Sequence, residues 1–301
     1  MLGLNERRIP FVEARWIRYH QRLQMLALIS TSKSAYLDID DEGFNTVLTL
    51  SNEKTTVEQK KERQGVGDNA LAKSLQLLKI RASPSLLPEG ILTLVNHCRC
   101  LRELSLSYSL LSDELLMALC TEEQVDLETL RIEAHSETRP LPVVSEKAWT
   151  TFVARFPNIN LVLLSYIIEE EEHKSIFASR LPVTHLYFGE APSESIASRI
   201  HEYCPRLVEL VIAAYGPELI DDVLINVARG CLRLSAIGLG DCEISCAALL
   251  DFVTMCAERL KILYIRETSL IEDPELDVLK VAAKVSSLLG HTWVPEYIPL
   301  W

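Results

Sequence analysis

Hydrophobic residues recur along the chain in the form L-x-x-L-x-L, with polar or charged residues filling most of the gaps. The pattern is clear at Leu75, Leu78 and Ile80, at Leu101, Leu104 and Leu106, and at Leu127, Leu130 and Ile132. A degenerate copy falls at Ile159, Val162 and Leu164. The pattern then resumes at Val183, Leu186 and Phe188, at Leu207, Leu210 and Ile212, at Leu234, Ile237 and Leu239, and at Leu260, Leu263 and Ile265. First positions are 26, 26, 32, 24, 24, 27 and 26 residues apart. An upstream copy at Leu23, Leu26 and Leu28 leaves room for one damaged repeat around Phe44 to Leu50.

A period of about 20–29 residues carrying this motif is the signature of a leucine-rich repeat. Side chains alternate across a strand, so the leucines of each copy point into the molecule and the residues between them face the other way. The rest of each copy predicts a return helix. Ser112, followed by Asp113 and Glu114, suits a helix start, where a hydroxyl caps free N–H groups and carboxylates meet the positive dipole end. Ser245 opens another helix with Leu249, Phe252, Val253 and Cys256 on one apolar stripe. A third spans Ile220 to Arg229, with Gly230 placed for a left-handed cap. The expected fold is therefore α/β: a leucine-rich-repeat solenoid, or horseshoe, with a parallel concave sheet and convex helices. It occupies residues 23–290, after an N-terminal segment of 1–22 and before a C-terminal aromatic tail of 291–301.

Length alone, at 301 residues and about 150 per domain, suggests two domains, and the repeat replaces that with one solenoid. Residues 52–69 read as a polar insert or loop, residues 136–146 as a proline-containing loop behind the one long step, and Glu169 to Glu172 as a solvated acidic run. The balance of 30 Lys+Arg against 42 Asp+Glu gives a net charge of −12, which argues against nucleic acid as a partner. The longest stretch free of Asp, Glu, Lys and Arg, Phe156 to Ile168, is short of the ~20 apolar residues a bilayer span needs, so no membrane is implied. Charges at Glu6, Arg7, Arg8 and Glu13 leave no apolar core for a signal peptide. The expected location is cytoplasmic and nuclear, and the eight cysteines are expected as thiols.

Most of those cysteines mark helix ends: Cys98, Cys120, Cys204, Cys231 and Cys256. Cys242, three residues after Leu239, takes the Asn/Cys position of the repeat, where a side chain satisfies loop backbone groups. Neither Cys98 with Cys100 nor Cys242 with Cys246 has a matching second pair for zinc, so the thiols read as buried structure and no metal or cofactor is expected. The chain has no G-x-S-x-G, H-E-x-x-H or P-loop motif. The segment Gly65 to Ala70 matches a relaxed dinucleotide fingerprint but follows Lys-Glu-Arg-Gln where the mechanism needs a strand, so it reads as a polar turn and the protein as a non-enzyme.

The residues between the leucines form the other face of each strand. His185 and Tyr187 alternate with Val183, Leu186 and Phe188 and should face outward, as should Arg102, Glu103, Glu128, Arg131, Glu209, Ser235, Gly238, Lys261 and Tyr264. Mixed polarity with few aromatics fits a protein-binding trough. The tail ends in HTWVPEYIPLW. Its Trp301 is either a packing cap for the open end of the solenoid or, stiffened by Pro295 and Pro299, an anchor that inserts into a partner.

Longer strings sharpen this. CRCLRELSLSYSLLSDELLMAL (98–119), THLYFG (184–189), CPRLVELV (204–211), LSAIGLGDCEISC (234–246) and WVPEYIPLW (293–301) resemble the cryptochrome-targeting F-box and leucine-rich-repeat proteins, and LALISTSKS (26–34) resembles an earlier repeat of the same family. The resemblance covers roughly residues 23–301. It implies a substrate-recognition subunit of an SCF-type ubiquitin ligase that holds cryptochrome for ubiquitylation in circadian regulation. It also implies that the tail enters the partner's cofactor pocket with Trp301 innermost and with Trp293, Pro295 and Pro299 as its stiff support. Together with Tyr297 and Leu300 of the tail, and with His185, Tyr187, Glu209 and Tyr264, which alternation places on the outward face of the repeats, these are the expected partner-binding residues. In that family an F-box precedes the repeats and docks the Skp adaptor and cullin. Residues 1–22, MLGLNERRIPFVEARWIRYHQR, carry neither its Leu-Pro start nor its Val-Cys-Arg-x-Trp end. The alternative expectation is thus an F-box-less, ligase-independent module that shields or competes for cryptochrome.

Overall fold

The computed structural model describes residues 35–39, 75–80, 91–92, 100–120, 127–136, 141–178 and 180–296. Apart from Ala35 they belong to one compact unit, residues 36–301. The copy at Leu23, the damaged repeat around Phe44, the 52–69 insert, the Gly65 to Ala70 turn and the residues Tyr297, Pro299, Leu300 and Trp301 lie outside the described residues.

Strand and helix alternate as the repeat predicts. In chain order the elements are β1 (Ala35–Ile39), β2 (Leu75–Ile80), β3 (Glu103–Ser107), α1 (Asp113–Leu119), β4 (Thr129–His135), α2 (Glu146–Arg155), β5 (Asn160–Tyr166) and α3 (Glu170–Ile176). They continue as β6 (His185–Phe188), α4 (Glu194–Ala197), α5 (Ile200–Tyr203), β7 (Glu209–Leu219), α6 (Asp221–Gly230), β8 (Ala236–Ser245), α7 (Cys246–Cys256), β9 (Ile262–Ile265), β10 (Leu270–Ile271) and α8 (Val278–Leu289). All ten strands share one sheet in sequence order, with β9 and β10 both pairing β8. Pairing is parallel from β2 onward, the arrangement that one strand and one return helix per repeat enforces.

The leucines make the core. Leu104, Leu106, Leu130, Ile132, Leu186, Leu210, Ile237 and Leu239 are all buried, as are the first positions Leu101, Leu127, Val183, Leu207, Leu234 and Leu260. Each such side chain contributes about 1.5–3 kcal/mol relative to leaving it in water. Against them lie Leu115, Leu116 and Leu119 of α1, Trp149 and Phe152 of α2, and Leu249, Phe252, Val253 and Cys256 of α7.

Helix starts are built as the sequence indicates, and they also join repeats. Ser112, Ser145 and Ser245 each accept a hydrogen bond from the third residue on, Leu115, Ala148 and Ala248, at 3.1 Å. The carboxylate of Asp113 accepts from the backbone N–H of Ser145 (2.8 Å), and Asp221 likewise from Ser245 (3.0 Å). One repeat's helix start thereby satisfies the next repeat's orphan donor. Cys242 is buried and its thiol donates to the Ile212 carbonyl at 3.5 Å, the backbone-satisfying role expected of that position, with burial pushing its pKa up to about 12. Among the described cysteines none is bonded to another.

Two expectations are corrected. The degenerate copy was expected to turn Val162 and Leu164 inward, but the inward side chains of β5 are Leu161, Leu163 and Ser165, one residue out of step. Leu161 lies opposite Leu130, whereas Leu163 lies opposite Leu186, so β5 absorbs a two-residue offset between its neighbours. The strand is apolar on both faces, so the motif fits it in either register. The second correction concerns Gly230, which closes α6 without a left-handed conformation. Among the described glycines only Gly290 has a positive φ, 73°, and it caps α8. What Gly230 provides is space, since an added Cβ would lie 2.6 Å from the His201 Cβ. The acidic run is solvated as expected, with Glu169, Glu170 and Glu171 exposed, and it is helical: Glu170, Glu171 and Glu172 form the first turn of α3, where the helix dipole favours them. Two of them bridge neighbours, Ser136 donating to Glu172 (2.7 Å) and Ser195 to Glu170 (2.8 Å).

Candidate interaction surface

Inward burial of the leucines places the alternate residues of each strand on the opposite face of the sheet, where register aligns them in columns. One column runs Lys79, Ser105, Arg131, Val162, His185, Glu209, Ala236 and Ile262. The next runs Ser107, Glu133, Leu164, Tyr187, Val211, Gly238 and Tyr264. His185, Tyr187, Glu209 and Tyr264 therefore share this face, with His185 directly opposite Glu209. Arg102, Glu128, Ser235 and Lys261 do not join the columns. They stand one step before the strands, where their backbones form a continuous ladder, Glu128 N–H to Arg102 O (2.8 Å) and Lys261 N–H to Ser235 O (2.7 Å), and where Arg102 pairs with Glu128 in solvent at 2.8 Å.

The columns change character along the sheet. Toward β3 and β4 they carry charge. Arg131 pairs with Glu133 at 3.3 Å, and burial raises the Glu103 carboxyl even though Arg131 and Lys79 oppose the shift. From β5 onward they become apolar and aromatic through Val162, Leu164, Val211 and Ala236. The few polar groups there are paired. Tyr187 donates a hydrogen bond to Glu209; burial, and then the Glu209 charge, push its phenol well above the ordinary range. The Glu209 carboxyl is itself raised by burial, against the lowering effect of that bond. His185 lies with Nδ1 2.8 Å from the Thr184 hydroxyl, and burial lowers its pKa, favouring a neutral ring. A half-buried Tyr–carboxylate pair in an apolar setting presents a shape that resists rearrangement, the property of a recognition surface.

Trp293 sits elsewhere than on this face. It is 6% exposed, and its indole N–H donates to the Leu263 carbonyl at 2.9 Å while its backbone N–H donates to Ser286 Oγ at 2.9 Å. Glu296 then bridges in parallel to Arg266, its N–H bonding Ile265 O at 2.9 Å and its carbonyl accepting from Glu267 N–H at 3.0 Å. The segment that leads into the tail thus satisfies the Leu263 and Ile265 carbonyls on the free edge of β9, groups that an edge strand otherwise leaves unpaired. Sequence reasoning missed these contacts because no periodicity marks them.

A second missed feature lies at the carboxyl end of the strands, where the exposed rings of His135 and Tyr166 stack with centroids 4.8 Å apart and planes 5° apart. Gly189 permits it, for a Cβ there would lie 2.5 Å from the Tyr166 ring. Period-two counting past Leu164 reaches Tyr166, so the signal was present. Among the described residues no three His, Cys, Asp or Glu side chains gather as a metal set, and no helix is long and apolar enough to cross a membrane.

Comparison with known proteins gives concordant matches. The chain is 38% identical over 291 residues to F-box/LRR-repeat protein 21 of Mus musculus, covering 93% of this chain and 67% of that protein. The proteins of the same name from Ovis aries and Bos taurus are each 38% identical over 290 and 291 residues, covering 92% and 93% of this chain and 67% of each relative. No protein-family model matches the chain.

Proposed function

The chain belongs to the F-box/LRR-repeat family, and from that premise we propose that it is the substrate-binding part of an SCF-type ubiquitin-ligase receptor and that its substrate is a cryptochrome-like protein. The chain itself is non-catalytic: it holds the substrate while other subunits act. The observation that carries this reading is the β6–β9 part of the sheet face, where His185, Tyr187, Glu209 and Tyr264 share an apolar surface; the sequence after Glu296 adds Tyr297, Pro299, Leu300 and Trp301, residue types that suit insertion. Aromatic side chains of this kind are the usual anchors of protein interfaces. In this reading the repeats of residues 23–290 form the receptor surface and residues 291–301 the inserted tail, while Trp293 serves from within as the support that holds the tail's base. The protein works in the cytoplasm and nucleus.

Deleting Tyr297 to Trp301 tests the reading most directly. Buried aromatic anchors contribute about 2 kcal/mol or more each, so affinity for a purified cryptochrome should fall at least about thirtyfold in a calorimetric titration. His185→Ala should weaken the same binding while leaving the melting temperature nearly unchanged, whereas Tyr187→Ala, which also strips Glu209 of its hydrogen bond, should weaken binding and lower the melting temperature. Affinity untouched by the deletion would rule the tail out. Co-purification decides the ligase question: capture of cryptochrome together with Skp and cullin supports the receptor, and capture of cryptochrome alone supports a ligase-independent module that shields or competes for it.

A further inference from the structure

Parallel strands all begin on one rim of their sheet, so residues at the same repeat position stack there. Val208, Ser235 and Lys261 mark that rim as one backbone ladder, Ser235 N–H bonding Val208 O at 2.8 Å and Lys261 N–H bonding Ser235 O at 2.7 Å. Two residues before each rung stands an arginine: Arg206, Arg233 and Arg259. The residue preceding each arginine is Pro205, Leu232 or Glu258, and all three are exposed, Leu232 by 71%.

Three like charges on successive rungs repel one another. Burial, and then the Arg233 charge, lower the Arg206 pKa. Among the described residues no carboxylate pairs with Arg206, Arg233, Arg259 or the exposed Lys261, for every ion pair there joins other residues. Backbone carbonyls hold two of the guanidiniums instead. Arg259 donates to Met255 O at 2.9 Å and to Ala228 O at 2.6 Å, in the last turns of α7 and α6, where the helix dipole favours a cation. Arg206 donates to Pro157 O. A guanidinium has five N–H donors, and Arg206 Nη1 and Arg259 Nε have no partner among the described residues. The rim is thus a row of cations that are fixed in place but not neutralised, in a chain of net charge −12.

The chemistry selects the partner. A long polyanion meets the repulsion of the whole acidic chain. A short acidic segment meets only the local field, because charges beyond about 10 Å are screened at ordinary salt. The row of Pro205 and Leu232 beside the arginines also suits an apolar side chain, which a phosphate backbone lacks. Two rungs separate Arg206 from Arg259, about 10 Å at about 4.8 Å each, the distance between residues i and i+3 of an extended segment.

We propose that Pro205, Arg206, Leu232, Arg233, Arg259 and Lys261 form a docking rim for an acidic segment of a partner protein, two carboxylates meeting the arginines and an apolar side chain between them covering Leu232. The rim precedes the strands and is separate from the sheet face, and it stands whether or not the chain is a ligase receptor. Guanidiniums already held by carbonyls lose little freedom on binding, which favours recognition of a carboxylate.

The test is fluorescence anisotropy of the full chain with a labelled peptide, Gly-Ser-Glu-Leu-Leu-Glu-Ser-Gly, at low salt. Saturable binding with a Kd below about 1 mM is expected, and its absence overturns the rim. The analogue with Gln for both Glu should bind at least about tenfold more weakly; equal binding overturns recognition of acid. Arg233→Glu and Arg233→Gln alter an exposed residue and should keep the parent's melting temperature, with the peptide weakened about tenfold or more in the first and about fivefold in the second. Leu232→Ser should weaken it about threefold. Lys284→Glu, an equal charge change on the exposed side of α8, should weaken it less than about twofold; a loss equal to that of Arg233→Glu would show an effect of net charge alone and overturn the rim. Oligothymidylate that binds more tightly than the peptide, and is lost in Arg233→Glu, would overturn the protein partner in favour of nucleic acid. A dimer in analytical ultracentrifugation that Arg233→Glu dissociates would overturn it in favour of a second copy of this chain.

Discussion

Two parts of one sheet, the β8–α7 and β5–α3 repeats, are built from the same motif to different standards. In the β8–α7 repeat the motif, the cap and the core agree. Leu239 and Ile237 point inward, Ser245 caps the helix, Cys242 donates to the Ile212 carbonyl of β7, and α7 buries Leu249, Phe252, Val253 and Cys256. The β5–α3 repeat departs at each point. Its strand is apolar on both faces, and Glu169 at the helix start makes no side-chain cap bond. Its interior also holds a polar pair, Ser165 Oγ at 3.2 Å from His173 Nε2. The His173 ring is fully buried between Phe177 and Phe188, and its Nδ1 has no hydrogen-bond partner among the described residues. The contrast teaches that the repeat tolerates a weak copy when its neighbours are regular, because each copy is supported from both sides.

The sharpest way to break the comparison is to charge adjacent residues of β5. Leu161→Asp buries an unpaired carboxylate and should destabilise by about 4 kcal/mol or more in urea unfolding, whereas Val162→Asp, on the opposite face, should lose about 1 kcal/mol. Equal losses would show that the register assigned to β5 is wrong.

Next in size is the pH response of the buried histidine. Burial lowers the His173 pKa from its ordinary 6.5, with Glu172 and Glu170 opposing the shift. The unfolded chain therefore binds the proton more readily. Stability from the neutral ring is complete above pH 6.5 and is lost as pH falls from there toward the lower folded value, by at most about 1.4 kcal/mol per pH unit. Chemical denaturation of the parent and of His173→Gln should give curves that run parallel above pH 6.5 and diverge below it. Parallel curves throughout would remove His173 as the source.

The smallest effects concern the helix starts. Ser245→Ala should destabilise by about 1 kcal/mol, while Glu169→Ser, which supplies the cap α3 lacks, should stabilise by about 0.5 kcal/mol. Thermal melts can resolve both, and a destabilising Glu169→Ser would mean that the Glu169 side chain contributes more at that position than a cap would.

Much of the fold was legible because repetition averages out local noise. One strand of the L-x-x-L-x-L type is ambiguous, but seven regular copies fix parity and period together, and Ser112, Ser245 and Cys242 then fall into their expected places. β5 escaped because Val162 and Leu164 satisfy the same motif as Leu161 and Leu163. For the candidate surface, His185, Tyr187, Glu209 and Tyr264 followed from alternation alone. Trp293 did not: its aromatic neighbours and prolines resemble those of a binding tail, and nothing in its spacing shows that its indole bonds the Leu263 carbonyl of β9.

Sequence by itself therefore determined the period, the inward leucines, the helix caps and the face on which the polar residues of regular strands lie. These are local consequences of backbone geometry, repeated often enough to be read. Tertiary structure alone decided the register of β5, the space that Gly230 leaves for His201, the burial of His173 and the locking of Glu296 beside Arg266. Each of those depends on which distant residue arrives at the same place, and a strand that is apolar on both sides, or a glycine without a special φ, carries no mark of its neighbour.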